Sequence, residues 1–284
     1  IVHIASMDKL AAIVREVPEA AYKLAKRYWP GPLTMIFNKA ACVPAQTTGG
    51  LETVAVRMPS HKVASALIEA AGGYIAAPSA NLSGRPSPTT AKYVIEDLDG
   101  RVDMIIDGGE ADIGLESTII DLTGDVPVIL RPGYITEEML KETIGRVDTD
   151  RTILDGNAKQ APKAPGMKYR HYAPKGNLVL VEGTQAQVVS YMNEQLRQYK
   201  LERIKTGVIA TDETKDRYLA DSIKSVGKRK DEEQIARQLF KILREFDDEE
   251  VQVIYAESFE SHGVGEAIMN RLLKAAGHQV VYLQ

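Results

Sequence analysis

Apolar positions in the first half of the chain switch repeatedly between helical spacing and the alternation of a strand. "MDKLAAIVREV" (7–17) and "PEAAYKLAKRYW" (18–29) place them three and four apart, which predicts helices, and after the turn "PGP" the stretch "LTMIF" (33–37) reads as a strand. "TVAVRMP" (53–59) is a second strand, followed by a helix over "HKVASALIEAAGG" (61–73) that ends on glycines. "YIAAPS" (74–79) is a strand, "TTAKYVIEDLDG" (89–100) a helix and "VDMIIDGG" (102–109) a further strand. "ESTIIDL" and "PVILRPG" predict two adjacent strands joined by a turn at Gly124, and "TEEMLKETIG" opens on Thr136 as N-cap and closes at Gly145. Many strands with short helices fit a twisted sheet flanked by helices.

The pattern breaks over 151–176, where "NAKQAPKAPGMKYRHYAPKG" has prolines and cationic side chains but no hydrophobic period; it reads as a linker. A second unit follows over 177–284. Its strands "LVLVEG", "TGVIAT", "VQVIYAE" and "QVVYL" alternate with helices "AQVVSYMNEQLRQYK", "EEQIARQLFKILREFDD" and "VGEAIMNRLLKAAG", which implies a parallel sheet with right-handed crossovers. The expected domains are thus 1–150, the linker 151–176, and 177–284.

Composition narrows the function. The chain has 284 residues, 44% hydrophobic and 26% charged, enough for one large or two smaller cores. A formal net charge of −4 argues against holding RNA or DNA on a broad cationic surface. Cys42 is the single cysteine, which excludes a disulfide framework and a thiolate zinc cluster. No apolar run reaches the roughly 18 residues that span a bilayer, and the first residues lack the regions of a signal peptide, so the expected compartment is the cytoplasm. The chain opens on "IVHIA", a strand pattern without a preceding turn, cap or initiator Met; the expectation is that residues precede Ile1.

Candidate chemistry gathers in a few stretches. In "ETVAVRMPS" the strand period puts Val54, Val56 and Met58 on one face and Thr53, Ala55 and Arg57 on the other. An unpaired guanidinium is costly in so apolar a strand, so Arg57 requires either a bound anion or an internal salt bridge. In "YIAAPSANLSGRPSP" (74–88) Pro78 ends the pairing, and Ser79 and Asn81 are followed by Gly84 and Ser87. Such residues serve equally as a capped turn or as small contacts to phosphate and sugar. "DGGEADIGLESTIID" is glycine-rich but lacks the Gly-Lys-Ser/Thr of a P-loop, and Arg131 ends the strand "VILR" before a Pro-Gly turn. There is no G-x-G-x-x-G after a strand, no H-E-x-x-H and no G-x-S-x-G. His3 alternates with Val2 and Ile4 and could face a cleft; the glycines before "EAIMNRL" are read as a tight turn.

Taken together, "KRYWPGPLTMIF", "VAVRMPSH", "AAPSANLSGRPSPT", "GLESTIIDL", "ILRPGYIT" and "APGMKYRHYAPK" resemble, in order, the motifs of the Sua5/YrdC family, the threonylcarbamoyl-AMP synthases of tRNA t6A modification. The resemblance covers residues 1 to about 175, and "GVGEAIMNRLLKAA" looks like the accessory C-terminal domain of Sua5-type members. It implies an α/β fold: a YrdC-like twisted mixed sheet with flanking helices, plus a smaller Rossmann-like parallel α/β domain. It also implies a nucleotidyltransferase that turns L-threonine, bicarbonate and ATP into threonylcarbamoyl-AMP and pyrophosphate, with Mg²⁺ on the triphosphate, and passes its product to the tRNA threonylcarbamoyl transferase machinery. Placement and charge neutralisation would drive such a reaction more than a strong base.

Residue by residue, the resemblance puts Thr53, Ser79, Asn81, Ser87, Arg131 and His171 against ATP. It puts His3, Arg57, Ala77 (through its backbone) and Ser117 around threonine, with Arg57 and Ser79 the best candidates for catalysis. Tyr169, Arg170 and Tyr172 would belong to a lid that excludes water from labile intermediates. Family members carry a Lys-x-Arg segment before the strand matching "IVHIA", absent from this sequence; a chain beginning at Ile1 is expected to bind ATP weakly. Two other readings share the fold: an RNA-binding module without adenylating activity, and a carbamoyl-adenylate site of the hydrogenase-maturation type, whose acylphosphatase-like and zinc-finger segments are not present here. Strong direct nucleic-acid binding and membrane association are not expected.

Overall fold

A computed structural model describes residues 1–150 and 172–284, which group into two compact units: Ile1–Pro78 with Glu116–Met167, and Ser79–Leu115 with Lys168–Gln284. Residues 79–115, which the sequence pattern places within the expected domain 1–150, group by contacts with the C-terminal residues.

In the first unit β1 (Val2–Ile4) leads through a 3-10 turn to the short α1 (Leu10–Ile13) and then α2 (Glu19–Tyr28). β2 (Leu33–Asn38), the one-turn α3 (Ala45–Thr48), β3 (Thr53–Arg57), α4 (Lys62–Ala70) and β4 (Tyr74–Ala76) follow. The helix expected over 7–17 stops early because Val14 leaves it to bridge Lys39. α5 (Ala91–Leu98) belongs to the second unit, and the first resumes with β5 (Thr118–Asp121), β6 (Val128–Arg131), α6 (Glu137–Ile144) and β7 (Asp148–Thr149). Thr136 caps α6 by accepting from the Met139 N–H at 3.4 Å, as its position predicts.

The seven strands form a mixed sheet in the order β4-β1-β3-β2-β5-β6-β7. One face carries Val2, Ile4, Leu33, Met35, Phe37, Val54, Val56 and Ile120, all buried in one core with Leu24, Tyr28 and Leu140 of α2 and α6. Alternation then forces the intervening residues of each strand onto the opposite face. That face holds the polar groups.

The second unit contains a parallel five-stranded sheet built from β8 (Asn177–Glu182), β9 (Thr206–Ala210), β10 (Ser222–Ser225), β11 (Val253–Glu257) and β12 (Val280–Tyr282) in the order β10-β9-β11-β8-β12. Its helices are α7 (Gln185–Leu201), α8 (Glu232–Asp248) and α9 (Val264–Ala275). α8 buries Ile235, Leu239, Phe240, Ile242, Leu243 and Phe246, the wide apolar stripe of a core-facing helix. β10, "SIKS", was not anticipated: it has no apolar run, and its pairing with β9 defines it.

Residues 102–109 are a correction. "VDMIIDGG" forms no strand, and Val102, Met104 and Ile106 are 45%, 76% and 50% exposed. The Asp107 carboxylate accepts from the Gly109 N–H, turning the chain toward α8 instead. There Arg237 donates to the Asp112 carbonyl at 2.7 Å and Lys241 pairs with Glu110. Among the described residues no helix is long and apolar enough to cross a membrane.

Candidate active site

Strand register assembles the site on the first unit. His3 pairs with Arg57, Arg57 with Thr34, Thr34 with Ile119, and Ile119 with Arg131. Residues paired across strands share a face, so one row running over β1, β3, β2, β5 and β6 presents an imidazole, a guanidinium, a hydroxyl, an isoleucine and a second guanidinium together. Ser117, two residues before Ile119, falls on the same face. The Cα atoms of Arg57 and Arg131 lie three strand spacings apart, about 14 Å, within the combined reach of two long side chains.

Hydrogen bonds fix the row. Arg57 donates Nε to the Gly31 carbonyl at 3.0 Å. Arg131 donates Nε to the Ser117 carbonyl at 3.0 Å and Nη2 to Ser117 Oγ at 3.2 Å. Ser117 Oγ shares a 2.7 Å bond with Thr34 Oγ1. Thr34, Ser117 and Arg131 are all buried. The sequence missed Thr34; its only signal was one hydroxyl inside the apolar run "LTMIF", and its importance comes from lying opposite Arg57.

The electrostatics are one-sided. Among the described residues no carboxylate lies within salt-bridge distance of Arg57. Burial, then the like charge of Arg131, pushes the Arg57 pKa down. Burial, followed by the Arg57 charge, lowers His3 to about 4, so its imidazole is neutral at pH 7. The His3 Nδ1 is buried without a hydrogen-bond partner among the described residues. A guanidinium held in low dielectric, as Arg57 is, with no carboxylate beside it among the described residues stabilises an incoming anion. Of the two readings of Arg57, the internal salt bridge is excluded among the described residues.

The remaining expected residues divide. Thr53, partly buried, lies on the Arg57 face four residues away, about 13 Å along β3. Ala77 donates its N–H to the Ile1 carbonyl at 3.0 Å, so any contact it makes with a ligand uses its own carbonyl oxygen. Ser79, Asn81 and Ser87 belong to the second unit; Ser79 is exposed and Ser87 partly buried. Asn81 does not fit a phosphate contact, because its Nδ2 donates both hydrogens inside its own loop, to the carbonyls of Leu82 at 2.9 Å and Arg85 at 3.3 Å. Only its buried Oδ1, an acceptor, remains without a partner. Tyr172 is a second correction. It is 4% exposed and packs on Phe240, ring centroids 5.1 Å apart, so its side chain belongs to a core and not to a lid. Tyr169, Arg170 and His171 lie outside the described residues.

The second unit has a cavity of about 260 Å³ lined by Gly183, Gln185, Val188, Arg229, Glu257 and Ser258. Its charges already satisfy one another: Glu257 accepts from Thr214 and from Tyr218 at 2.8 Å and pairs with Arg229, which donates to the Ser258 carbonyl at 2.9 Å. Nothing there demands a counter-ion, in contrast to the Arg57 row.

A mixed sheet carrying two guanidinium groups on one face, followed by a parallel α/β unit, defines a two-part α/β protein with a candidate anion site. Comparison with known proteins makes this specific. The Sua5_yciO_yrdC family model, described as telomere recombination, matches residues 1–133, and that of the threonylcarbamoyl-AMP synthase C-terminal domain matches 135–277. The threonylcarbamoyl-AMP synthases of Pyrococcus abyssi and Bacillus subtilis are each 48% identical, over 99% of this chain and 81% and 80% of their own lengths. That of Schizosaccharomyces pombe is 34% identical over 97% of this chain and 76% of its own. The crystal structure of P. abyssi Sua5 complexed with L-threonine superposes with a TM-score of 0.93 at 47% identity, covering 100% of this chain and 81% of that one. The chain belongs to the Sua5-type threonylcarbamoyl-AMP synthase family, enzymes of the nucleotidyltransferase kind.

Proposed function

We propose that this chain condenses L-threonine, bicarbonate and ATP into threonylcarbamoyl-AMP and pyrophosphate, with the Arg57 row as its threonine site. The observation that carries the reading is a partly buried Arg57 without a carboxylate partner among the described residues, beside a second guanidinium. A threonine carboxylate supplies the missing charge, and the planar fork of donors suits it. The Ser117 and Thr34 hydroxyls receive the substrate's polar end, and the Ala77 carbonyl offers an acceptor to its amine. A neutral amine then adds to carbon dioxide derived from bicarbonate, giving a carbamate and releasing a proton. A carbamate oxygen attacks the α-phosphorus of ATP, and pyrophosphate leaves.

The protein supplies orientation and positive potential. Arg131 and Thr53, further along β3, are assigned to the nucleotide, and the family resemblance adds Ser79 and Ser87 to its contacts. Mg²⁺ bound with the nucleotide would be held mainly by the oxygens of the triphosphate and by water, and would neutralise phosphate charge. The product, a mixed anhydride, requires a transferase that delivers the threonylcarbamoyl group to tRNA, and a cytoplasmic setting follows from that role. The test is pyrophosphate release by the purified chain: it requires all three substrates together, and release without threonine or without bicarbonate overturns the proposal.

His3 provides a second check. Its pKa of about 4 reflects burial and the Arg57 charge. A bound carboxylate neutralises that charge, so threonine raises the His3 pKa toward its ordinary value. NMR titration of the imidazole with and without L-threonine reads this directly; an unmoved titration places threonine elsewhere.

A further inference from the structure

The loop that carries Ser79 and Ser87 has almost no regular structure of its own, so its conformation is set by side chains that reach it. Two of these are buried and ionic. Arg244 on α8 is 1% exposed and Asp97 on α5 is 2%. Arg244 donates Nε and Nη2 to the Pro86 carbonyl at 2.9 and 2.6 Å, and Nη1 and Nη2 to the Asp97 carboxylate at 3.0 and 2.6 Å. Asp97 Oδ2 also accepts from the backbone N–H of Leu82 at 3.0 Å, and Arg85 bonds the same carboxylate while reaching Asp247 of α8 at 3.5 Å. The loop is thus held at Leu82, Arg85 and Pro86, between Ser79 and Ser87.

We propose that Arg244 and Asp97 are positioning residues for the adenylation reaction: α8, an element of the C-terminal family domain, sets the shape of the 79–87 loop and so builds part of the nucleotide site. This gives that domain a direct role in the reaction, and it rests on the reading of Ser79 and Ser87 as ATP contacts. Packing alone does not account for the arrangement. Two apolar side chains of similar volume fill buried space without the desolvation cost of an ion pair. What a guanidinium adds is a rigid fork that holds a backbone carbonyl and a carboxylate at fixed angles together. The carbonyl it holds belongs to Pro86, the residue bonded to Ser87. Burial raises the Asp97 pKa, but the Arg244 bonds, the Leu82 N–H and the nearby charges outweigh it, and the net shift is downward. The Asp97 carboxylate therefore stays ionised throughout the neutral range.

The test uses the full chain with Arg244→Met and, as a milder variant that keeps the charge but loses the fork, Arg244→Lys. The expected result is a rise of about tenfold or more in KM for ATP, with KM for threonine within about twofold of the parent, and an intermediate ATP effect for the lysine variant. Amide hydrogen exchange over 79–90, Leu82 in particular, accelerates in both. If Arg244→Met fails to fold, the lysine variant carries both readouts. A folded variant with unaccelerated exchange at Leu82 overturns the clasp; accelerated exchange with unchanged KM for ATP overturns its positioning role. Ser87→Ala reads the underlying assignment separately. If it leaves KM for ATP unchanged while Arg244→Met raises it, the Ser87 contact fails but the clasp stands; if neither variant moves it, both fail.

Discussion

Replacing Arg57 by methionine lowers kcat/KM for L-threonine by at least about 100-fold and leaves the protein as stable as the parent, or more so. The two effects have one cause. Arg57 makes a hydrogen bond to the Gly31 carbonyl and finds no carboxylate among the described residues, while burial and Arg131 both disfavour its charge. An ion held this way costs folding free energy, and an apolar side chain of similar length removes the cost. Substrate binding loses the charge-assisted fork, and truncating one partner of such a pair costs roughly 2–5 kcal/mol, which brackets the 100-fold loss at 1.4 kcal/mol per decade. If Arg57 were a structural ion-pair partner, the same substitution would lower the melting temperature sharply. Thermal unfolding with steady-state kinetics separates the cases: a destabilised variant with ordinary threonine kinetics sinks the assignment.

Legibility in the sequence followed how local each signal was. Arg57 stood out because alternation in "TVAVR" and the apolar character of its neighbours are both contained in a few residues. Thr34 did not, because a lone hydroxyl in a strand carries no message until pairing sets it opposite Arg57. "VDMIIDGG" has strand composition, but composition cannot say whether a partner edge exists, and the chain turns to α8 instead. Asn81 has the polar chemistry of a phosphate or sugar contact, but its amide donors are taken up by the carbonyls of its own loop. Arg244 is the extreme case. In "FKILREFDD" it resembles a solvated arginine on an amphipathic helix, and its partners Asp97 and Pro86 lie 147 and 158 residues away. Helix and strand periods report on a neighbourhood of a dozen residues; contacts across such separations leave no mark in it.

Gly133→Ala is expected to do comparable damage by a steric route. A Cβ built there meets the Thr118 backbone nitrogen at 2.6 Å and the Glu116 carbonyl and Thr118 Oγ1 at 2.8 Å each, all closer than real Cβ contacts allow. Neither neighbour can yield easily. The Thr118 N–H donates to the Pro32 carbonyl at 3.0 Å, and its hydroxyl donates to the Ile135 carbonyl at 2.7 Å while accepting from the Ile135 N–H at 3.1 Å. The added methyl must therefore drive the turn after β6 away from residues 116–118. Ser117 lies between the two obstructed residues and holds both Arg131 and Thr34, so the displacement reaches the cationic row directly. Overpacking of this kind costs roughly 1–3 kcal/mol or more, and turnover should fall at least about tenfold, since misplacement by about 1 Å can cost 100-fold. Gly124→Ala is the control: the nearest atom to its added Cβ is 3.9 Å away, and its stability and activity should match the parent. Should the Gly133 variant retain full turnover, the backbone around Ser117 does not hold the reacting groups in register, and the arrangement of Arg131 with Ser117 ceases to matter for catalysis.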